Sequence, residues 1–388
     1  MPSLDITLTV PPGGLIAWTL AASPALPSQD ARLSARILAL LDACHDSAAP
    51  WPFRENPDPG GPHTMETLTW ALVCLQHLGA EDRIAAVRDR PGLLDRIDAY
   101  YDPDLMIYRD DNTQEVGRIG AWRFHNDSVM RMGLQIMGAP ARPQVTGLAM
   151  RRHFPWAPQS DAELEGWMQR CWDHDPRAGV KEIVQYLRLY RMLAGPALDE
   201  HLLRILGFLA AHRDPATGYI GIPKSGDLGW AMRGHRNNIL HTWMDLGLRE
   251  PPDAALAVMR STLALQRPDG LFHDGSMCAN MDAIELLAEY HLQTGCLRDE
   301  ALGACRRCVA GLFARLYVAP GGFVYAPGTL PADPAAEGHG RACLVNGAAF
   351  ALNTLRYWAA IDPLARHDLP AALDGVGAKG ILKGQGAA

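Results

Sequence analysis

The sequence has 388 residues and lacks any apolar run near the ~18 residues needed to span a membrane. Positive charge is also in deficit: 36 Lys and Arg stand against 43 Asp and Glu, a formal net charge of -7. Nucleic-acid binders usually show a basic stripe, so that partner class is set aside. The opening segment MPSLDITLTVPPGG has neither the basic start nor the long apolar stretch of an export signal. Charged residues are only 20% of the chain and hydrophobic ones 48%, which excludes disorder for the bulk and predicts a globular fold. The eight cysteines are scattered, and Cys305-x-x-Cys308 has no second pair, so a zinc ribbon is excluded. Without an export signal they read as reduced thiols in a cytoplasm. Gly-x-Ser-x-Gly, phosphate-loop and His-Glu-x-x-His motifs are missing. Gly375-x-Gly377-x-x-Gly380 has no strand before it and no helix after it, so it is not a dinucleotide site.

What the sequence does have is a recurrence. Five apolar segments of helical spacing close on Gly79, Gly138, Gly195, Gly247 and Gly295, at intervals of 59, 57, 52 and 48 residues. A sixth copy, CLVNGAAFALNTLRYW, ends without the glycine. Within the first, Leu68, Leu72, Leu75 and Leu78 follow helical periodicity, and a terminal Gly takes the left-handed conformation at little cost. Second helices are predicted between the copies, over 30–44, 161–172, 198–212, 253–266 and 299–317. Another, over 82–100, is interrupted by Pro91. Helix pairs at a period of about 50 residues predict an all-α helical array, not a sandwich or a doubly wound sheet. The segment LDITLTV near the start reads as one possible strand. About six hairpins permit a closed ring in which first meets last, the arrangement preferred here over an open solenoid. The expectation is therefore a single α/α toroid over 1–374, with a disordered Gly-rich tail over 375–388.

Between the helices a turn repeats: DPATGYIG at 214–221, LQRPDGLF at 265–272 and APGGFVYAPG at 319–328. LQRPDGLF resembles the Gln-x-x-x-Gly-x-Trp repeat of terpenoid cyclases and protein prenyltransferases, with Phe272 in place of Trp. The resemblance implies an α/α toroid with an axial cavity, and its sharpest part is 205–295. Proton-initiated terpene cyclases, of isomerase or lyase type, carry Asp-x-Asp-Asp at the start of an inner helix. Here Asn280-Met281-Asp282-Ala283 occupies that place, so the resemblance implies Asp282 as proton donor, with the two flanking acids replaced. Protein prenyltransferases instead hold zinc with Asp, Cys and His. Cys278, His339 and Cys343, with Asp282, resemble that set in type without its Asp-x-Cys spacing, so no metal is expected as the main reading.

In a closed ring the inner helices present their N-termini to one shared space. The candidate catalytic residues there are Asp282, Asn280, His125, His235 and His339. Candidate substrate-binding residues are Trp122, Phe124, Asp127, Tyr219, Trp230, Asn237, Asn238, Phe272, Tyr325 and Arg341. Helix capping is the plain alternative for each Asn and Asp, and core packing for most of the aromatics. A carboxyl group in an apolar surround has its pKa raised and can donate a proton to an alkene. Aromatics would stabilise the resulting cation, although they are only 7% of the chain.

The first functional expectation is therefore cyclisation of an isoprenoid through Asp282, with no cofactor. The second follows from RGHRNNILHTW at 233–243, which loosely resembles the Asn- and His-rich stretch of toroidal uronate lyases. That likeness implies a polysaccharide lyase or hydrolase, with Asn237 and Asn238 neutralising a carboxylate and His235 and Tyr219 moving a proton. Trp122, Trp230 and Trp243 would stack on sugar rings. The third is a non-catalytic ligand-binding toroid. An aromatic, dry lining would mark an isoprenoid, and a polar one with tryptophans a glycan.

Overall fold

The computed structural model describes residues 31–57, 63–104, 106–108, 122–142, 158, 160–194, 199–318, 322–327, 344–362 and 365; the side chains of 122–126, 128, 189 and 192–194 lie outside the description. The possible strand at 4–10, the tail 375–388, and His339, Arg341 and Cys343 fall outside the described residues. So do the side chains of Trp122, Phe124 and His125.

The chain is mostly helical, as its periodicity predicts. The helices in order are α1 (Ala31–Cys44), α2 (Met65–His77), α3 (Glu81–Arg88), α4 (Leu93–Ala99), α5 (Trp122–Ile136), α6 (Asp161–His174), α7 (Pro176–Ala194) and α8 (Glu200–Ala211). Then follow α9 (Leu228–Gly234), a π-helical segment (His235–Leu240) and α10 (His241–Asp245), which run on without a break. The last are α11 (Pro252–Ala264), α12 (Met277–Thr294), α13 (Arg298–Arg315) and α14 (Leu344–Ile361). Two short antiparallel pairs join them: β1 (Tyr101–Asp102) with β2 (Ile107–Tyr108), and β3 (Tyr317–Val318) with β4 (Gly322–Phe323). The helix predicted over 82–100 is split into α3 and α4 around Pro91, because proline has no amide hydrogen to donate and its ring clashes with the preceding turn.

Helix boundaries follow the capping chemistry. Thr64, Ser160, Asp199, Asp227 and Ser276 each accept a hydrogen bond from a first-turn amide through the side chain. Gly79, Gly138, Gly247 and Gly295 end their helices with positive φ, as the recurrence predicts.

The repeated turn explains how one hairpin is joined to the next. Gln266 and Phe272 form an isolated bridge across LQRPDGLF, and Arg213 and Ile220 do the same in the preceding turn. The Gln266 amide donates to the carbonyls of Gly270 and of Ala304 on α13, while its oxygen accepts from Arg307. Gly270 has φ +86°, and a Cβ there would collide with the Arg307 carbonyl. The glutamine thus ties its own turn to α13, and the glycine lets the two backbones touch.

The helices follow one another in space as a succession: α7 packs on α9, α9 on α12, α12 on α14, α14 on α2 and α2 on α5. The contact between α14 and α2 joins distant stretches of chain. Val345 donates its amide to the Glu55 carbonyl, Leu344 its amide to Asn56 Oδ1, and His77 Nε2 lies 3.0 Å from Asn353 Oδ1. Among the described residues the apolar core forms two clusters. The larger runs through α1, α2 and α11 to α14; the smaller is centred on α6, α7 and α8 and includes Ile107 of β2. Burying one such Leu or Ile side chain contributes roughly 1.5–3 kcal/mol. No helix among the described residues is long and apolar enough to cross a membrane.

Candidate functional site

The site is built on the face of α12 that meets α9, the π-helical segment and α14. Asp282 and Glu285 lie three residues apart on one helix, so both point the same way. Asp282 is fully buried. Its Oδ1 is 3.4 Å from Arg236 and its Oδ2 is 3.5 Å from Arg233. Oδ2 accepts no hydrogen bond among the described residues. Burial pushes the Asp282 carboxyl up to about 6, although the two guanidiniums pull the other way. Glu285 is equally buried but fully paired: it binds Arg236, His241 Nε2 at 2.8 Å and the Tyr357 hydroxyl at 2.7 Å. Burial alone would raise its pKa, but Arg236 and His241 together bring it down to about 2. Two neighbouring carboxyls are thus held in opposite states near pH 6, one able to carry a proton and the other fixed as an anion.

The π-helical segment is what brings their partners together. In a regular α-helix, residues five apart are about 140° round the axis. A π-turn closes on the fifth residue, so Arg236 and His241 come into line and both reach Glu285. Asn237 and Asn238 fold back along the helix, each donating Nδ2 to the carbonyl four residues before it, of Arg233 and Gly234. Asn237 is exposed and also accepts from Arg236; Asn238 is half-buried.

Around this centre Tyr325 is half-buried against Cys278 and Arg233. Burial pushes the Cys278 thiol up to about 11, which opposes the thiolate a metal needs. Among the described residues no group of three His, Cys, Asp or Glu is placed to hold a metal ion. One face along from Glu285, Glu289 is half-buried, and burial and the Glu285 charge raise its carboxyl to about 7. Trp230 is half-buried at the start of α9, with the Arg177 guanidinium 4.4 Å and the Arg233 guanidinium 4.3 Å from its ring centre.

Several expected site residues are parts of the wall instead. Asn280 is fully buried; its oxygen accepts from the Phe272 amide and its nitrogen donates to the carbonyls of Gly275 and Ser276. It therefore fixes the turn before α12 and has no group left for catalysis. Phe272 and Tyr219 are core side chains with no exposed surface, and the Tyr219 hydroxyl meets Thr262. His235 is completely buried as well. Its Nδ1 accepts from the Ile220 amide, so Nε2 carries the hydrogen and donates to Tyr290, whose hydroxyl donates to Glu250. Burial holds His235 neutral, which removes it as a proton shuttle to a ligand. Asp127 accepts from the Tyr108 amide and from Arg131, and so anchors β2 to α5. Of the expected set, Asp282, Trp230, Asn237 and Tyr325 gather round one centre. His125, Trp122, Phe124, His339 and Arg341 lie outside the described side chains.

The sequence reading missed Arg177, Arg233, Arg236, His241, Glu285, Glu289 and Tyr357. Cys278, Asp282, Glu285 and Glu289 recur at helical spacing in the chain, a signal available in the residues alone. Comparison with protein-family models, with curated proteins and with solved structures returns no match, so the site rests on its own geometry.

Proposed function

We propose that the chain closes into an α/α toroid and that its inner face performs acid-assisted chemistry on a hydroxyl-rich ligand of glycan type, as a hydrolase or lyase. The closure draws on two contacts: α14 packs on α2, and Ile107 of β2 enters the apolar cluster of α6 to α8 while its neighbour Tyr108 belongs to the larger cluster. These link the last hairpin to the first and the second to the third. The observation that carries the chemistry is the charged constellation Arg233–Asp282–Arg236–Glu285, drawn from facing inner helices. A centre of two guanidiniums, two carboxyls, an imidazole and two phenols is suited to a polar ligand, and Phe272 and Tyr219 are withdrawn into the wall.

In this reading Asp282 is the general acid. As the glycosidic C–O bond breaks it gives its proton to the departing oxygen, and Arg233 and Arg236 stabilise the carboxylate that remains. The proton is restored by the water that adds to the carbon in hydrolysis, or by the neighbouring C–H proton lost in elimination. Trp230 offers an edge for a sugar ring. Incubation with a panel of neutral and acidic glycans should release reducing ends, or produce the absorbance of an unsaturated uronate. Asp282→Asn should abolish either product, and kcat/KM should fall as pH rises through about 6. Activity surviving in Asp282→Asn overturns the assignment.

A second reading is favoured by one observation, the raised pKa of the buried Asp282 carboxyl, which is also what protonation of an alkene requires. Cyclised product from a polyprenyl substrate, with no turnover of any glycan, would select it.

A further inference from the structure

The reaction as proposed has an acid but no base. From Met277 to Ala288 every residue of α12 is buried except Cys278, and Glu289 is the next half-buried position. Cys278 and Glu289 are eleven residues apart, about 20° past three full turns, so the two open positions lie on one face. Asp282 and Glu285 lie between them on that face. The open space beside α12 therefore runs along the line of its acids. His241 borders it from the facing segment, with 27% of its side chain exposed.

The other carboxyls near this line are occupied. Glu285 binds Arg236, His241 and Tyr357. Asp227 accepts from the Trp230 amide, and Asp274 from that of Ser276. Glu250 is held by Arg213 and Tyr290. Glu289, by contrast, enters no hydrogen bond or ion pair among the described residues. The charged groups its carboxyl feels are Glu285 on its own helix and Arg356 on α14; among the described residues none comes from α9, the π-helical segment, α11 or α13.

Asp282 and Glu289 stand about 10 Å apart along the helix and within about 20° of each other round it. Helical side chains lean towards the helix start, and Glu289 has one methylene more than Asp282, so its carboxyl reaches back towards the acid. Such spacing suits an acid and a base with a water between them, which need roughly 6.5–9.5 Å, and is too wide for the roughly 5 Å of an acid and a nucleophile.

We propose that Glu289 is the general base of the site, and that it takes a proton from the water attacking the anomeric carbon, opposite the oxygen protonated by Asp282, so that the glycan is hydrolysed with inversion. A water O–H bond breaks towards Glu289 as the new C–O bond forms. The glycosidic C–O bond breaks, and its electron pair takes the Asp282 proton. Glu289 ends protonated and Asp282 ionised; one proton passing through solvent from the first to the second restores both. The inference rests on the glycan reading and selects hydrolysis over elimination within it.

The test uses the full chain and a glycan that it cleaves. Proton NMR at early times reads the anomer first released, and the inverted one is expected. Glu289→Gln should lower kcat roughly 10²–10⁴-fold, with KM little changed and the helical circular dichroism unchanged. The parent's kcat/KM should fall on the acid side, where Glu289 takes up a proton, as well as on the alkaline side, where Asp282 loses one. The acid-side fall should vanish from the residual activity of Glu289→Gln, a change that the loss of a packing group would not produce. Formate, a small external base, should restore part of the activity of Glu289→Ala. Retention of configuration, an unsaturated product, or unchanged kcat and pH profile in Glu289→Gln overturns the inference. With Asp282→Asn inactive, each of these leaves the acid role of Asp282 standing. No turnover of any glycan overturns both readings.

Discussion

The sharpest consequence of the site concerns stability, and it needs no substrate. Asp282 has an ordinary pKa of 3.8 and is raised to about 6 in the folded chain. An acid whose folded value lies above its unfolded one holds its proton more tightly when folded. Its contribution is therefore favourable at low pH and is lost as pH rises from about 4 through about 6. Above that window folding must keep an ionised carboxylate buried, with one oxygen that accepts no hydrogen bond among the described residues. Two pKa units correspond to about 3 kcal/mol. Asparagine has the shape of the protonated acid and no charge. Arg236 keeps Glu285 and Arg233 keeps Tyr325, so neither cation loses every partner in the variant. Asp282→Asn should thus be more stable than the parent at pH 8, by up to about 3 kcal/mol, and the gap should close towards pH 4. Thermal melts by circular dichroism from pH 4 to pH 8 would read a shift on the order of 5 °C at the upper end. A variant less stable than the parent at pH 8, or a difference that does not vary with pH, would refute the reasoning. A residue that costs stability where it sits is what a catalytic acid, as opposed to a packing residue, is expected to be.

Other perturbations test the surroundings. Arg236→Met leaves Glu285 buried with less of its compensating charge, and urea unfolding should show a loss of about 3–5 kcal/mol. Glu285 has the opposite linkage to Asp282: its folded value of about 2 lies below its ordinary 4.5, so its contribution is present above pH 4.5 and lost as pH falls towards 2. The acid limb of the stability profile should flatten in Glu285→Gln. Tyr290→Phe removes the hydroxyl that receives the His235 hydrogen and donates to Glu250, and should cost about 1–3 kcal/mol in the same assay. Gly270→Ala sets a side chain against the Arg307 carbonyl at positive φ and should cost about 2–5 kcal/mol, whereas Gly295→Ala faces open space and should cost about 1 kcal/mol. Equal costs at the two glycines would remove the turn-to-helix contact from the account of the repeat.

The difference between those glycines also bears on what can be read in a sequence. Gly295 is visible as a helix stop because its reason is local, a left-handed residue after the last apolar turn. Gly270 stands in a motif whose reason is α13, about 40 residues on, and only the packed hairpins give it. The second helices expected over 30–44, 161–172, 198–212, 253–266 and 299–317 were legible to within about two residues because apolar spacing and caps are local, whereas several Gly-ended helices start three to six residues before the recurring segments. Side-chain partners across the fold were not. Asn280, Phe272, Tyr219 and His235 are polar or aromatic residues near helix starts, the pattern that invites a ligand role, yet each is satisfied by a buried neighbour that lies close in space. The π-helical segment is the clearest case. RGHRNNILH reads as a surface rich in donors, yet its two asparagines fold back onto the carbonyls of Arg233 and Gly234. The same segment carries Arg236 and His241 onto Glu285, which the helical wheel would keep apart. The wide turn thus converts a polar stretch into a partner for the acids of α12. Apolar spacing stays helical on both sides of it, so periodicity does not report it, and the charges it brings together are what point to this place, among the described helix starts, for the proposed chemistry.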